Sequence, residues 1–114
     1  MILGTAYSVN NVEIRLTEER WEHILEQHPL DFSYDEYEVI LDAVEDPDFV
    51  LRGQKGSLIA VAPAGRNNYL SVIYRELGDT DGFIITAYYK RALERSSIIW
   101  RKNPKTRRRR NSGK

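Results

Sequence analysis

Tyr37-Glu38-Val39-Ile40-Leu41-Asp42-Ala43-Val44-Glu45-Asp46-Pro47-Asp48-Phe49-Val50-Leu51-Arg52 is the stretch on which the fold turns. Tyr37, Ile40, Leu41 and Val44 recur at i, i+3, i+4 and i+7, the spacing of one helix face. Asp46-Pro47 ends that pattern, because a residue before proline is pushed out of helical backbone geometry. From Phe49 onward the period becomes that of a strand. The order that follows is helices first and an antiparallel sheet after them. Two helices, each with one apolar face, need a sheet to cover, which makes the economical architecture a two-layer α+β domain.

Toward the N-terminus, Ser33 and Glu36 form an S-x-x-E capping box that opens the helix just described. Before it lies a second amphipathic segment, in which Trp21, Ile24, Leu25 and His28 share a face. Thr17 caps it, Glu18 and Glu19 suit the positive end of its dipole, and Pro29 stops it at His28. Asn10-Asn11 is a turn signal, and Val12, Ile14 and Leu16 alternate as a short strand would.

Toward the C-terminus, Phe49–Arg52 and Ser57–Ala62 flank Gly53-Gln54-Lys55-Gly56 as a hairpin. A loop over 63–68 leads to the run Tyr69–Glu76, and Gly78-Asp79-Thr80-Asp81-Gly82 joins that run to Phe83–Lys90. Short connections favour antiparallel neighbours, so four to five antiparallel strands are expected behind two N-terminal helices. Ala92–Trp100 reads equally as a short helix or a strand.

The 114 residues, 41% of them apolar, suffice for one core, assigned to residues 1–100. The absence of cysteine excludes disulfides, thiolate metal sites and a cysteine nucleophile. No apolar run approaches the ~20 residues of a membrane span. Met1-Ile2-Leu3-Gly4 lacks the basic start and long apolar run of a signal peptide, so the expected setting is cytoplasmic, without a membrane partner. The zero net charge hides a strong asymmetry. Residues 1–51 hold 13 acids against two bases, and residues 52–114 hold 15 bases against four acids. Eight bases follow residue 100, so 101–114 is expected as a solvated basic arm. Such an arm serves as a handle for phosphate backbones, as a solubility tail, or as a contact for an acidic partner.

On the last two strands, alternation separates Leu70, Val72 and Tyr74 from Tyr69, Ser71, Ile73 and Arg75. It likewise separates Phe83, Ile85, Ala87 and Tyr89 from Ile84, Thr86, Tyr88 and Lys90. Thr86, Tyr88, Lys90 and an opposing Arg75 would bring two hydroxyls and two cations together, a combination suited to a phosphate oxyanion. The same residues are also usual on a half-solvated sheet face. Arg20, His23 and Gln27 form a polar stripe on the first helix. His23 and His28 are the chain's two histidines, and a proton carrier near neutral pH is what phosphodiester cleavage requires. Read without other information, His28 is a packed or capping residue and His23 a solvated one. No HExxH pair, zinc ligand set, Walker loop or nucleophile elbow is present, so no metal and no cofactor is expected.

Leu16-Thr17-x-x-Arg20-x-x-His23-Ile24-x-x-x-His28-Pro29 resembles the opening of a phage and bacterial nuclease-like family of the barnase–EndoU–colicin–RelE superfamily. The helix ending at Asp46-Pro47-Asp48 and the late strand Ile84-Ile85-Thr86-Ala87-Tyr88-Tyr89-Lys90 fit the same order, so the resemblance spans about residues 14–91. It implies a metal-independent, toxin-like RNA endonuclease acting through the ribose 2′-OH, with an antitoxin protein as a partner. It implies His23, His28, Thr86 and Tyr88 as catalytic candidates, and Arg20, Arg75 and Lys90 as substrate-binding ones. The alternative is a module of the same fold that binds RNA or protein without catalysis.

Overall fold

The computed structural model describes residues 1–103. It begins with a hairpin, β1 (Ile2–Tyr7) and β2 (Glu13–Thr17), paired antiparallel around Asn10-Asn11. Helix α1 (Glu18–Gln27) follows at once, and a 3₁₀ turn over Tyr34–Glu36 runs into α2 (Tyr37–Glu45). The remaining strands are β3 (Phe49–Arg52), β4 (Leu58–Pro63), β5 (Tyr69–Glu76), β6 (Gly82–Lys90) and β7 (Ile98–Arg101). All seven form one sheet in the order β1-β2-β6-β5-β4-β3-β7.

The mixed α+β class and the two helices match the sequence reading; the strand count and the helix placement do not. Seven strands replace four to five, and two of them precede the helices. β1 escaped because it is an edge strand in which only Ala6 is buried, so its residues carry almost no alternation. The sheet is also not wholly antiparallel. β2 runs parallel to β6 through Ile14↔Gly82 and Arg15↔Phe83. Both helices lie between the strands so joined, and reading neighbours from short connections cannot reach that far. Ala92–Trp100 resolves into a 3₁₀ turn at Arg95–Ser97 and the start of β7.

The local signals explain the helices. The Arg20 N–H donates to Thr17 Oγ1 at 3.1 Å, which closes the N-terminus of α1. The Ser33 N–H donates to Glu36 Oε1 at 2.8 Å, so the capping box opens the 3₁₀ turn rather than α2 itself. Ile40, Leu41 and Val44 of α2 are fully buried, and α2 packs over β1, β4 and β5. Trp21 and Ile24 of α1 are fully buried as well, with α1 set against β2 and β6. Leu70, Val72, Tyr74, Ile84 and Ala87 complete the core from the sheet side. Beyond β7, Lys102 Nζ lies 3.2 Å from Asp46 Oδ1 and its N–H donates to the Asp48 carbonyl at 2.9 Å. The rest of the expected basic arm, 104–114, lies outside the described residues. Among those residues no helix is long and apolar enough to cross a membrane.

The parallel joint is tied at both sides. Ser8 Oγ donates to Glu76 Oε2 at 2.7 Å, and Arg15 pairs with Asp81. At its centre Gly82 leaves no room for a side chain, since a Cβ there would stand 2.5 Å from the Arg75 carbonyl oxygen and 2.6 Å from Ile14 Cδ1. One contact is to backbone, so the crowding cannot be relieved by a rotamer change alone. Gly82→Ala should therefore cost about 1–3 kcal/mol, as overpacked cores do. Urea unfolding measures it; an unchanged midpoint would mean that the joint is looser than the structure shows.

Candidate functional site

The helices cover one face of the sheet. The other face is hollowed into a cleft of about 670 Å³. Its floor is apolar, built by Ile59 of β4, Ile73 of β5 and Ile85 of β6. Its cations are Arg52, Lys55, Arg75 and Lys90. None of the four makes an ion pair among the described residues, so their charge is available to an anion. Glu94 is the one carboxylate among the described lining residues, and it already accepts a hydrogen bond from Ser96 Oγ at 2.9 Å.

Ladder register explains which side chains meet here. Across β5 and β6, Ser71 pairs with Tyr88 and Tyr69 with Lys90, all on the uncovered face. The register then jumps from Ile73↔Thr86 to Tyr74↔Ile84. Ile85 is the extra residue of a β-bulge, which resets the alternation of faces. This corrects the strict period-two sorting of the strand. Ile84, expected in a row with Thr86, Tyr88 and Lys90, is buried in the core, and Ile85, expected on the apolar face with Ala87, lines the cleft. Arg75 correspondingly pairs with Phe83 and not with the Thr86–Lys90 row.

The turn after β3 brings in the other two cations. Gly56 has φ 83°, a backbone conformation that favours glycine, and Arg75 Nη1 lies 3.5 Å from where its Cβ would be. Lys55 itself takes φ 55°, uncommon for a side-chain-bearing residue. Arg52 and Lys55 were not among the sequence candidates. Their signal was the basic pair flanking a glycine turn, and only the β3–β4–β5 register puts that turn opposite Arg75.

Arg75, Tyr88 and Lys90 thus share one cleft. His28 stands just behind it. Its ring centroid is 6.0 Å from that of Tyr88, tilted by 41°, and its Nδ1 is 3.7 Å from Asp31 Oδ2. The reason is topological: β2 leaves β6 after Phe83, and α1 continues along the edge so vacated. His28 therefore caps α1 with its N–H donated to the Ile24 carbonyl at 2.9 Å, while its ring reaches the wall of the cleft. The other candidates lie apart. Thr86 sits in the ladder opposite Ile73 and outside the cleft lining. His23 is exposed on α1, and Arg20 is half-buried there, neither of them lining the cleft. On the core side Tyr89 stacks on Phe32 at 5.2 Å, and burial, then the nearby carboxylates Glu36 and Asp31, push its phenol above the usual tyrosine range.

The charge asymmetry of the sequence becomes spatial. The exposed acids Glu22, Glu26, Glu38 and Asp42 ride on the helices, across the sheet from the cleft cations. An anionic polymer can fill the cleft without meeting them. No group of three histidine or carboxylate side chains among the described residues is arranged to hold a metal ion. Comparison with protein-family models, curated proteins and solved structures returned no match, so the assignment rests on this geometry alone.

Proposed function

We propose that the cleft binds RNA and cleaves it through the ribose 2′-OH. The observation that carries this reading is a cleft lined by four cations that make no ion pair among the described residues, whose wall residue Tyr88 lies 6.0 Å, centroid to centroid, from His28. In the reaction, His28 takes the proton of the 2′-OH as its oxygen attacks the adjacent phosphorus. The bond from phosphorus to the 5′-oxygen breaks, and Tyr88 protonates that oxygen. Proton return from the His28 imidazolium to the Tyr88 phenolate closes the cycle. The products are a 2′,3′-cyclic phosphate and a 5′-hydroxyl. Arg75 and Lys90 offset the charge that builds on the phosphate oxygens, the usual largest contribution in such chemistry. Because the nucleophile is the 2′-OH, the substrate is RNA and not DNA. A protein antitoxin for such an enzyme would present acids to these cations.

One observation favours a second reading, a module that holds RNA without cutting it: the cleft lining itself contains no histidine. Incubating the full chain with total RNA in EDTA separates the two. Fragments ending in cyclic phosphate are expected. Intact RNA that is nevertheless bound would overturn cleavage and leave the binding module.

A further inference from the structure

The cleft combines two features that single out the form of nucleic acid it can take. Phosphates alone would be served by cations on a polar surface. Here the cations share the cleft with isoleucines on the sheet face, an apolar surface that a phosphate cannot use. Ile59 and Ile73 are direct partners in the β4–β5 ladder, and the bulge turns Ile85 onto the same face beside them. Three adjacent strands at 4.7–4.9 Å spacing make this strip roughly 10 Å wide. Tyr88 adds an aromatic wall. The volume of about 670 Å³ falls in the range of sites that enclose a small molecule, roughly 300–1,000 Å³.

We infer that the cleft takes an unpaired nucleotide of a single RNA strand, with its base laid on the isoleucine strip and its flanking phosphates on Arg52, Lys55, Arg75 and Lys90. The inference rests on the RNA reading given above and narrows its substrate. A duplex keeps its bases stacked inside and presents phosphates only, so the strip would stay bare beneath it. A single strand offers base faces as well as phosphates, and a contact made through those faces is open to any base, since each has one.

The test uses 2′-O-methyl RNA, which has no nucleophile and stays intact, bound to the full chain in EDTA and followed by fluorescence anisotropy. The single strand should bind at least about tenfold tighter than the same strand annealed to its complement, because only the single strand can bury a base face against the strip. Ile85→Ser and, independently, Ile73→Ser should weaken the single strand about fivefold or more while leaving the salt slope unchanged. Lys90→Ala should reduce that slope by about 0.7, one phosphate contact. Melting curves identify any variant that fails to fold, and both isoleucines are only half-buried. Equal affinity for strand and duplex, or serine variants that bind as the parent does, would overturn the inference. Binding as expected by a protein that leaves unmodified RNA intact would reject cleavage alone.

Discussion

Trp21→Ala should lower the stability of the fold by about 3–5 kcal/mol, the range found when a large buried aromatic is truncated. The indole is completely buried. It packs 5.8 Å from Phe32, and its Nε1–H donates to the Tyr34 carbonyl at 2.7 Å. It thereby fastens α1 to the segment that leads into α2. Alanine removes the ring, leaves a cavity and strips the Tyr34 carbonyl of its donor. Trp21→Phe isolates the last effect and should cost less, with about 1 kcal/mol assignable to the hydrogen bond. Urea denaturation of both variants measures the difference. A loss below about 1 kcal/mol in the alanine variant would show that the two helices are held by something other than this contact.

His28→Ala should slow RNA cleavage by roughly 10²–10⁴-fold, the contribution of a positioned proton carrier. Its side chain is about 30% exposed and its ring packs near Tyr88, so a modest fall in melting temperature is expected beside the larger loss of rate. Affinity for RNA should hardly change, because the cations that grip phosphate line the cleft and His28 does not. His23→Ala, at an exposed position on α1 outside the cleft lining, should cleave as the parent does and serves as the internal control. Single-turnover rates beside melting curves decide the matter. Equal rates for His28→Ala and the parent would remove His28 from the mechanism, and loss of rate in His23→Ala instead would move the proton transfer to the exposed face of α1.

Much of the local structure was legible in the sequence because local signals were strong. The Thr17 cap, the Ser33–Glu36 box, the Ile40-Leu41-Val44 stripe and the Phe49–Arg52 hairpin strand each declare themselves within a few residues. What escaped was non-local or aperiodic. β1 is an edge with little to bury, and the β2–β6 pairing joins residues that no turn signal connects. The site divides the same way. Arg75, Tyr88 and Lys90 were visible by strand alternation, which holds on either side of the bulge. Ile85 was not, since a single inserted residue inverts the assignment of everything before it. Arg52 and Lys55 became partners of Arg75 only through ladders spanning three strands.

The β2–β6 joint also bears on the order of events when the chain folds. Ser8 and Glu76, hydrogen-bonded beside it, are 68 residues apart in sequence. The β1–β2 hairpin is made first on the ribosome, yet its neighbour in the sheet emerges late. Until then the inner edge of β2 is an open row of donors and acceptors, able to pair with any extended chain. Closing so long a loop is slow compared with forming the β3–β4 and β5–β6 hairpins. The late step of folding is thus the docking of an N-terminal hairpin onto a sheet assembled without it, and the window before docking is when two nascent copies could exchange hairpins.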